Sequence, residues 1–180
     1  MFQMNEQDRI WMAGFFDGEG NIQPYLSAPI YSNRYGQYSL RVNVVNTSHS
    51  ILEQFSSFGG TIRETSKTST WKMCYRWDVT GSAAKRFLEA VLPYLKLKKE
   101  VAMVGIEFQS CIENWKREHC KNGRFGPRLS KQEIAKRDTL ITKFRELQPL
   151  SSGGRKSRKP RKVAFALFRQ AENLPRSRDG

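Results

Sequence analysis

The stretch WMAGFFDGEG, residues 11–20, decides how this chain is read. Bulky apolar side chains at Trp11, Met12, Phe15 and Phe16 are interleaved with the small residues Ala13, Gly14 and Gly18. Such a mixture builds a helix that can approach another helix closely, including a second copy of itself. Upstream, Asn5 stands three residues before Asp8 and can cap this helix, which runs through Ile10 and ends near Gly18 and Gly20. Asp17 and Glu19 then fall at its C-terminal end, where the macrodipole disfavours negative charge. Two readings share the pattern. One is a core helix closing in a glycine-rich turn with solvated acids; the other is a helix whose terminal acid is balanced by a cation.

The chain on either side supplies the context. Two strand-like runs follow, at about residues 21–28 and 37–45, with a loop containing Pro29, Asn33 and Gly36 between them. In the second run Tyr38, Leu40, Val42 and Val44 alternate with Ser39, Arg41 and Asn43, a period of two with one apolar and one polar face. Thr47 or Ser48 caps a second helix carrying Ile51, Leu52, Phe55 and Phe58, and Gly59 and Gly60 stop it. A further strand pair, at 61–65 and 70–79, sets Trp71, Met73, Tyr75, Trp77 and Val79 on one face. Lys72, Cys74, Arg76 and Asp78 occupy the other. Phe87, Leu88, Val91 and Leu92 mark a third helix ahead of Pro93. Two more helices are predicted at 98–116 and 130–147, the latter opened by a Ser130/Glu133 capping box. The order is helix, two strands, helix, two strands, helix. It predicts an α+β fold with the helices on one face of an antiparallel sheet, and two further C-terminal helices.

Composition bounds the function. The chain has 180 residues and a formal net charge of +14. That charge is uneven: residues 1–80 are balanced, 7 basic against 7 acidic, while residues 81–180 hold 24 basic against 10 acidic. Such an excess points to a polyanionic partner, nucleic acid first. No long basic helix with a broad apolar face argues for a membrane surface. Residues 1–150 read as one domain. Residues 151–180 read as a flexible basic arm, opening with SSGGRKSRKPRK and continuing into a short apolar patch at 163–168. Cys74, Cys111, Cys120, His49 and His119 form no metal-ligand spacing. Nothing at the start resembles a signal peptide, so the expectation is an intracellular, soluble protein.

The polar faces of the strands are the candidate base readers. They present Gln23, Tyr25 and Ser27, then Gln37, Ser39, Arg41 and Asn43, then Arg63, Thr65, Lys72 and Arg76. Arginine suits guanine and Asn or Gln suits adenine in the major groove, which admits a two-stranded ribbon. The alternative is an ordinary solvent-exposed face, although that usually carries more acids. Only Glu64 and Asp78 lie near, and Glu64 points to the other side by alternation.

Residues 11–20 also resemble the LAGLIDADG motif of the homing endonucleases. Met12 stands at its first Leu, Ala13 and Gly14 match directly, Phe15 and Phe16 replace Leu and Ile, and Asp17, Gly18, Glu19 and Gly20 complete it. The order of elements after the motif is similar too, as is the lysine-rich LPYLKLKKE, residues 92–100. One copy of the motif is present, which resembles the homodimeric branch. The resemblance implies an αββαββα core around a curved four-stranded sheet, and a dimer packed through Ile10, Ala13, Gly14 and Asp17. It implies that Glu19, with the backbone carbonyl of Gly18, binds Mg²⁺ or another divalent cation such as Mn²⁺ or Ca²⁺. Lys98 matches the family's basic residue near the cleavage centre; otherwise it belongs to a solvated helix start. Asn46 falls where relatives position water; otherwise it caps the helix that follows. Ser50 departs from the basic residue that some relatives carry there. The implied function is a site-specific double-strand DNA endonuclease acting as a homodimer on a long near-palindromic site. An intron-RNA-binding maturase and a non-cutting DNA-binding regulator remain alternatives.

Overall fold

A computed structural model describes residues 5–26, 37–65, 72–120 and 129–148. Helix α1 (Glu6–Glu19) runs directly into strand β1 (Gly20–Leu26), which is followed by β2 (Tyr38–Asn46). Helix α2 (His49–Glu53) tightens into a 3₁₀ turn over Gln54–Phe58 before β3 (Thr61–Glu64) and β4 (Tyr75–Thr80). Helices α3 (Gly81–Val91), α4 (Lys99–His119) and α5 (Lys131–Leu147) follow. The helix–strand–strand unit therefore occurs twice, and the strands lie in the order β1-β2-β4-β3. Strand β4 pairs antiparallel with both β2 and β3. The predicted αββαββα core with two further helices is the observed one.

Period-two patterning puts one sheet face in the core. Leu40, Val42 and Val44 of β2 and Trp77 of β4 are fully buried, while Ser39, Arg41, Asn43 and Asp78 on the opposite face are half-exposed. The helices cover the apolar face: α1, α3 and α4 all pack against β2. An aromatic cluster of Phe16, Phe55, Phe58, Trp77 and Phe87 fills the space between, with ring centroids 5.0 to 5.8 Å apart. Gly105 lets α4 approach closely, since a Cβ there would lie 3.3 Å from both Ile22 and Leu88. Gly59 and Gly60 adopt φ of 83° and 91°, the left-handed region that glycine tolerates, and so turn the chain into β3. Trp77 locks that turn by donating its indole N–H to the Gly59 carbonyl at 2.9 Å.

Three local expectations are corrected. The fourth strand is regular only from Tyr75, although Thr65 N still donates to the Cys74 carbonyl at 2.8 Å; Met73 is 46% exposed and not part of the apolar face. Trp71 lies outside the described residues. Ser48 occupies the N-cap position of α2 but makes no side-chain capping bond; Asn46 Oδ1 takes the Ser48 N–H instead, at 2.8 Å. Of the Ser130/Glu133 capping box, half forms. Ser130 Oγ accepts from Glu133 N at 3.1 Å, while the Glu133 carboxylate is drawn to the buried Arg137 guanidinium at 2.9 Å.

Among the described residues, 5–25 and 38–148 belong to one compact unit, and Leu26 and Gln37 to a second. Among the described residues no helix is long and apolar enough to cross a membrane.

Candidate nucleic-acid interface and acidic centre

Helix α1 opens as expected, with Asn5 Oδ1 accepting from Asp8 N at 2.8 Å. Its 3.6-residue period then sorts the motif into two faces. Met12, Ala13, Phe16 and Asp17 are buried within the chain itself. Ile10 is 50% and Trp11 39% exposed, and a Cβ built on Gly14 or Gly18 would meet nothing within 4 Å. The outward stripe is thus Ile10, Gly14 and Gly18, with Trp11 at its margin. Of the four residues expected at a helix–helix contact, Ile10 and Gly14 lie on it. Ala13 and Asp17 do not: at 100° per residue they follow Met12 and Phe16 inward.

Asp17 has an internal task. Its Oδ2 accepts from Lys96 N at 2.7 Å and Leu97 N at 3.1 Å, and its Oδ1 from Lys98 N at 2.9 Å. Three successive amides leading into α4 form a small nest for the carboxylate, which also sits at the positive end of that helix. Burial alone would raise the Asp17 pKa; the three backbone donors outweigh it and hold the group below the usual carboxylate value. The sequence-level suggestion that an acid here needs a cation is answered for Asp17 by backbone N–H groups.

Lys98 closes the same junction from the other side. Its ammonium donates to the Asp17 main-chain oxygen, one of the carbonyls that the end of α1 leaves open. Burial lowers the Lys98 pKa, and the negative charges of Asp17 and Glu19 offset part of that effect. Lys98 is therefore fixed at a helix C-terminus rather than waving from a helix start. Glu19 is exposed at the last position of α1, and Gly20 begins β1. Asn46, at the end of β2, closes a local turn ahead of α2 by accepting from Ser48 N, and Ser50 Oγ lies 3.0 Å from Ser48 Oγ.

Only oxygen donors are offered at this end of α1: the Glu19 carboxylate and backbone carbonyls such as that of Gly18. They suit a hard cation of the Mg²⁺, Mn²⁺ or Ca²⁺ type. Among the described residues no three His, Cys, Asp or Glu side chains gather.

The outer face of the sheet starts where this acidic centre ends. Gln23, Tyr25, Ser39, Arg41, Asn43, Arg63 and Arg76 lie on it by alternation, with Gln37 just before β2, Thr65 just after β3 and Lys72 ahead of β4. Ser27 lies outside the described residues. A groove of about 770 Å³ opens here, bordered by Arg41, Arg63 and Arg76. Sequence reasoning missed three residues of this face, Val45, Thr61 and Thr80, and placed Asp78 on it without giving it a role. Register would have found them, since Val45 faces Arg76 and Thr61 faces Asp78 across the ladder.

No family model matches the chain, and no curated protein matches it. Solved structures do. The homing endonuclease I-CvuI, solved in complex with DNA in the presence of Mg, superposes with a TM-score of 0.65 at 22% identity, covering 95% of this chain and 100% of that one. The archaeal intron-encoded homing endonuclease I-Vdi141I, complexed with DNA, gives 0.64 at 13% identity over 93% and 98%. The LAGLIDADG homing endonuclease I-SmaMI, bound to cleaved DNA, gives 0.55 at 19% identity over 80% of this chain but 48% of that one. The chain has the LAGLIDADG homing-endonuclease fold, as its motif leads one to expect.

Proposed function

We propose that the chain is a site-specific double-strand DNA endonuclease that works as a homodimer. The observation that carries this is the continuity of α1 with β1: an exposed Glu19 with Lys98 fixed beside it leads, within one residue, into an outward strand face that bears Arg41, Arg63 and Arg76. One surface would therefore carry both a reader and a cutter. The base-reading side chains would sit in the major groove, whose donor and acceptor pattern distinguishes all four base pairs. The basic excess would supply the sequence-independent attraction to phosphate.

Dimerisation is supported by the outward stripe of Ile10, Gly14 and Gly18, which leaves room for a second α1 at close range. It is also supported by proportion, because one chain matches about half of I-SmaMI. Two copies related by a twofold axis would bring two Glu19 carboxylates together and match a near-palindromic site. Each Glu19, with the Gly18 carbonyl, would hold one divalent cation, which supplies a nucleophile at neutral pH and charge stabilisation at phosphate. Lys98 would hold its ammonium against the scissile phosphate to stabilise the charge that develops there. Asp17 would keep Lys98 and the start of α4 in position. Asn46 would position water, as the resemblance implies, only by giving up the turn bond that its Oδ1 accepts from Ser48 N.

A maturase function on intron RNA draws support from the basic composition of residues 151–180. The deciding experiment incubates the protein with Mg²⁺ and duplex DNA from its own gene neighbourhood, with the matching RNA as a parallel arm. Double-strand breaks at one location are expected. RNA binding without any break would replace this reading with the maturase one.

A further inference from the structure

Strand register divides the outer sheet face into rows. Val45, Arg76 and Arg63 stand side by side across β2, β4 and β3; the next row holds Asn43, Asp78 and Thr61. Asp78 is the anomaly. It lines a groove that also holds three arginines, yet among the described residues it forms no ion pair within 4.0 Å. Its Oδ1 is enclosed and accepts no hydrogen bond from the described residues, so a donor from outside must meet this half-exposed residue at its other carboxylate oxygen. Arg41 gives it no relief: that guanidinium leans the other way, 4.8 Å over the ring of Tyr25 on β1, with its own Nε unpaired.

A carboxylate on a face turned toward phosphates is repelled by them. One group relieves that repulsion, a base amino group presented in the major groove. Cytosine offers its N4 amino group there, whereas guanine presents two acceptors and adenine sets an acceptor beside its amino group. Asn43 and Thr61 flank Asp78 and can serve the neighbouring edges. Rows along an antiparallel strand are two residues apart, about 6.8 Å, which is close to the rise of two base pairs at about 3.4 Å each. We propose that Asp78 is a specificity-determining residue that reads a cytosine about two base pairs from a guanine read by Arg76 and Arg63. This rests on the sheet face binding DNA in the major groove.

The test selects bound duplexes from a randomised library with the full chain, for wild type, Asp78→Asn and Arg76→Ala, and sequences the bound pools. Wild type should enrich cytosine at one position of each half-site. In Asp78→Asn that preference should fall from about five- to hundredfold, the range of one good base contact, to near none, with other positions retained. Arg76→Ala should relax a guanine about two positions away and leave the cytosine. A second measurement uses the wild-type protein alone: replacing the selected cytosine with an analogue lacking the exocyclic amino group should weaken binding by the same factor. Cytosine preference surviving in Asp78→Asn, an analogue bound as tightly as cytosine, or selectivity falling evenly at all positions would overturn the assignment of Asp78 alone. A wild type that enriches no sequence would overturn DNA reading by this face, and Asp78's part with it.

Discussion

Replacing Asp17 by alanine should destabilise the fold before it affects any chemistry. The carboxylate accepts from the amides of Lys96, Leu97 and Lys98, at 2.7 to 3.1 Å. A hydrogen bond to a charged group contributes about 1.5–3 kcal/mol, but an amide that regains water recovers most of that. Lys96 and Leu97 are exposed residues, so their N–H groups rehydrate; Lys98 is half-buried and its N–H does so poorly. The net cost is therefore about 2–3 kcal/mol, one full bond plus the favourable interaction with the start of α4. For a domain of this size that is a drop in melting temperature of roughly 4–12 °C. Asp17→Asn should lose a similar amount, because it retains one acceptor and turns an NH₂ group toward a backbone donor. Thermal and urea unfolding at fixed protein concentration measure both. A loss below about 0.5 kcal/mol in both variants would refute the capping role, since it is the size expected of an ordinary surface change.

Three further outcomes are expected. Gly14→Leu places a large side chain in the open space on the outward stripe of α1, so it should leave the monomer folded and abolish self-association. Sedimentation with and without DNA measures this, and an unchanged dimer would exclude the stripe. Trp77→Ala removes a fully buried ring and its bond to the Gly59 carbonyl, and should cost about 3–5 kcal/mol in urea unfolding; a loss under 1 kcal/mol would contradict the described core. Truncation after Leu150 removes the basic arm, and each phosphate that the arm no longer neutralises should lower the slope of log K against log salt by about 0.9. An unchanged slope would show that the arm is idle.

Local patterns carried much of the fold. The alternation of Leu40, Val42 and Val44 with Ser39, Arg41 and Asn43 located β2 to within one residue and assigned its faces. Asn5 and Ser130 announced α1 and α5 through caps that depend only on neighbours three residues away. What failed depended on distant chain. Asp17 looked like a candidate for a dimer contact because its partners stand 79 to 81 residues further on, at a junction no local pattern encodes. Ala13 belongs inside for the same reason: small size permits a helix contact but does not say with which neighbour. Lys98 was legible as a residue of interest through the motif's resemblance, while its anchor on the α1 terminus was not. Val45 escaped notice because it is apolar, although the same period of two sets it opposite Val44 in facing, and its pairing with Arg76 places it among the outward residues.

The central claim, that Glu19 is the acid on which cleavage depends, is tested most directly by Glu19→Gln. Glu19 is exposed, so the substitution should leave the unfolding midpoint unchanged, in contrast to Asp17→Ala. The neutral amide keeps an oxygen but holds Mg²⁺ poorly, and the removed charge relieves repulsion from phosphate. Plasmid cleavage at saturating Mg²⁺, run beside gel-shift affinity for the same duplex, should therefore show no nicking or cutting with binding retained or tightened. Full cleavage by Glu19→Gln would contradict the account and remove Glu19 from the catalytic centre.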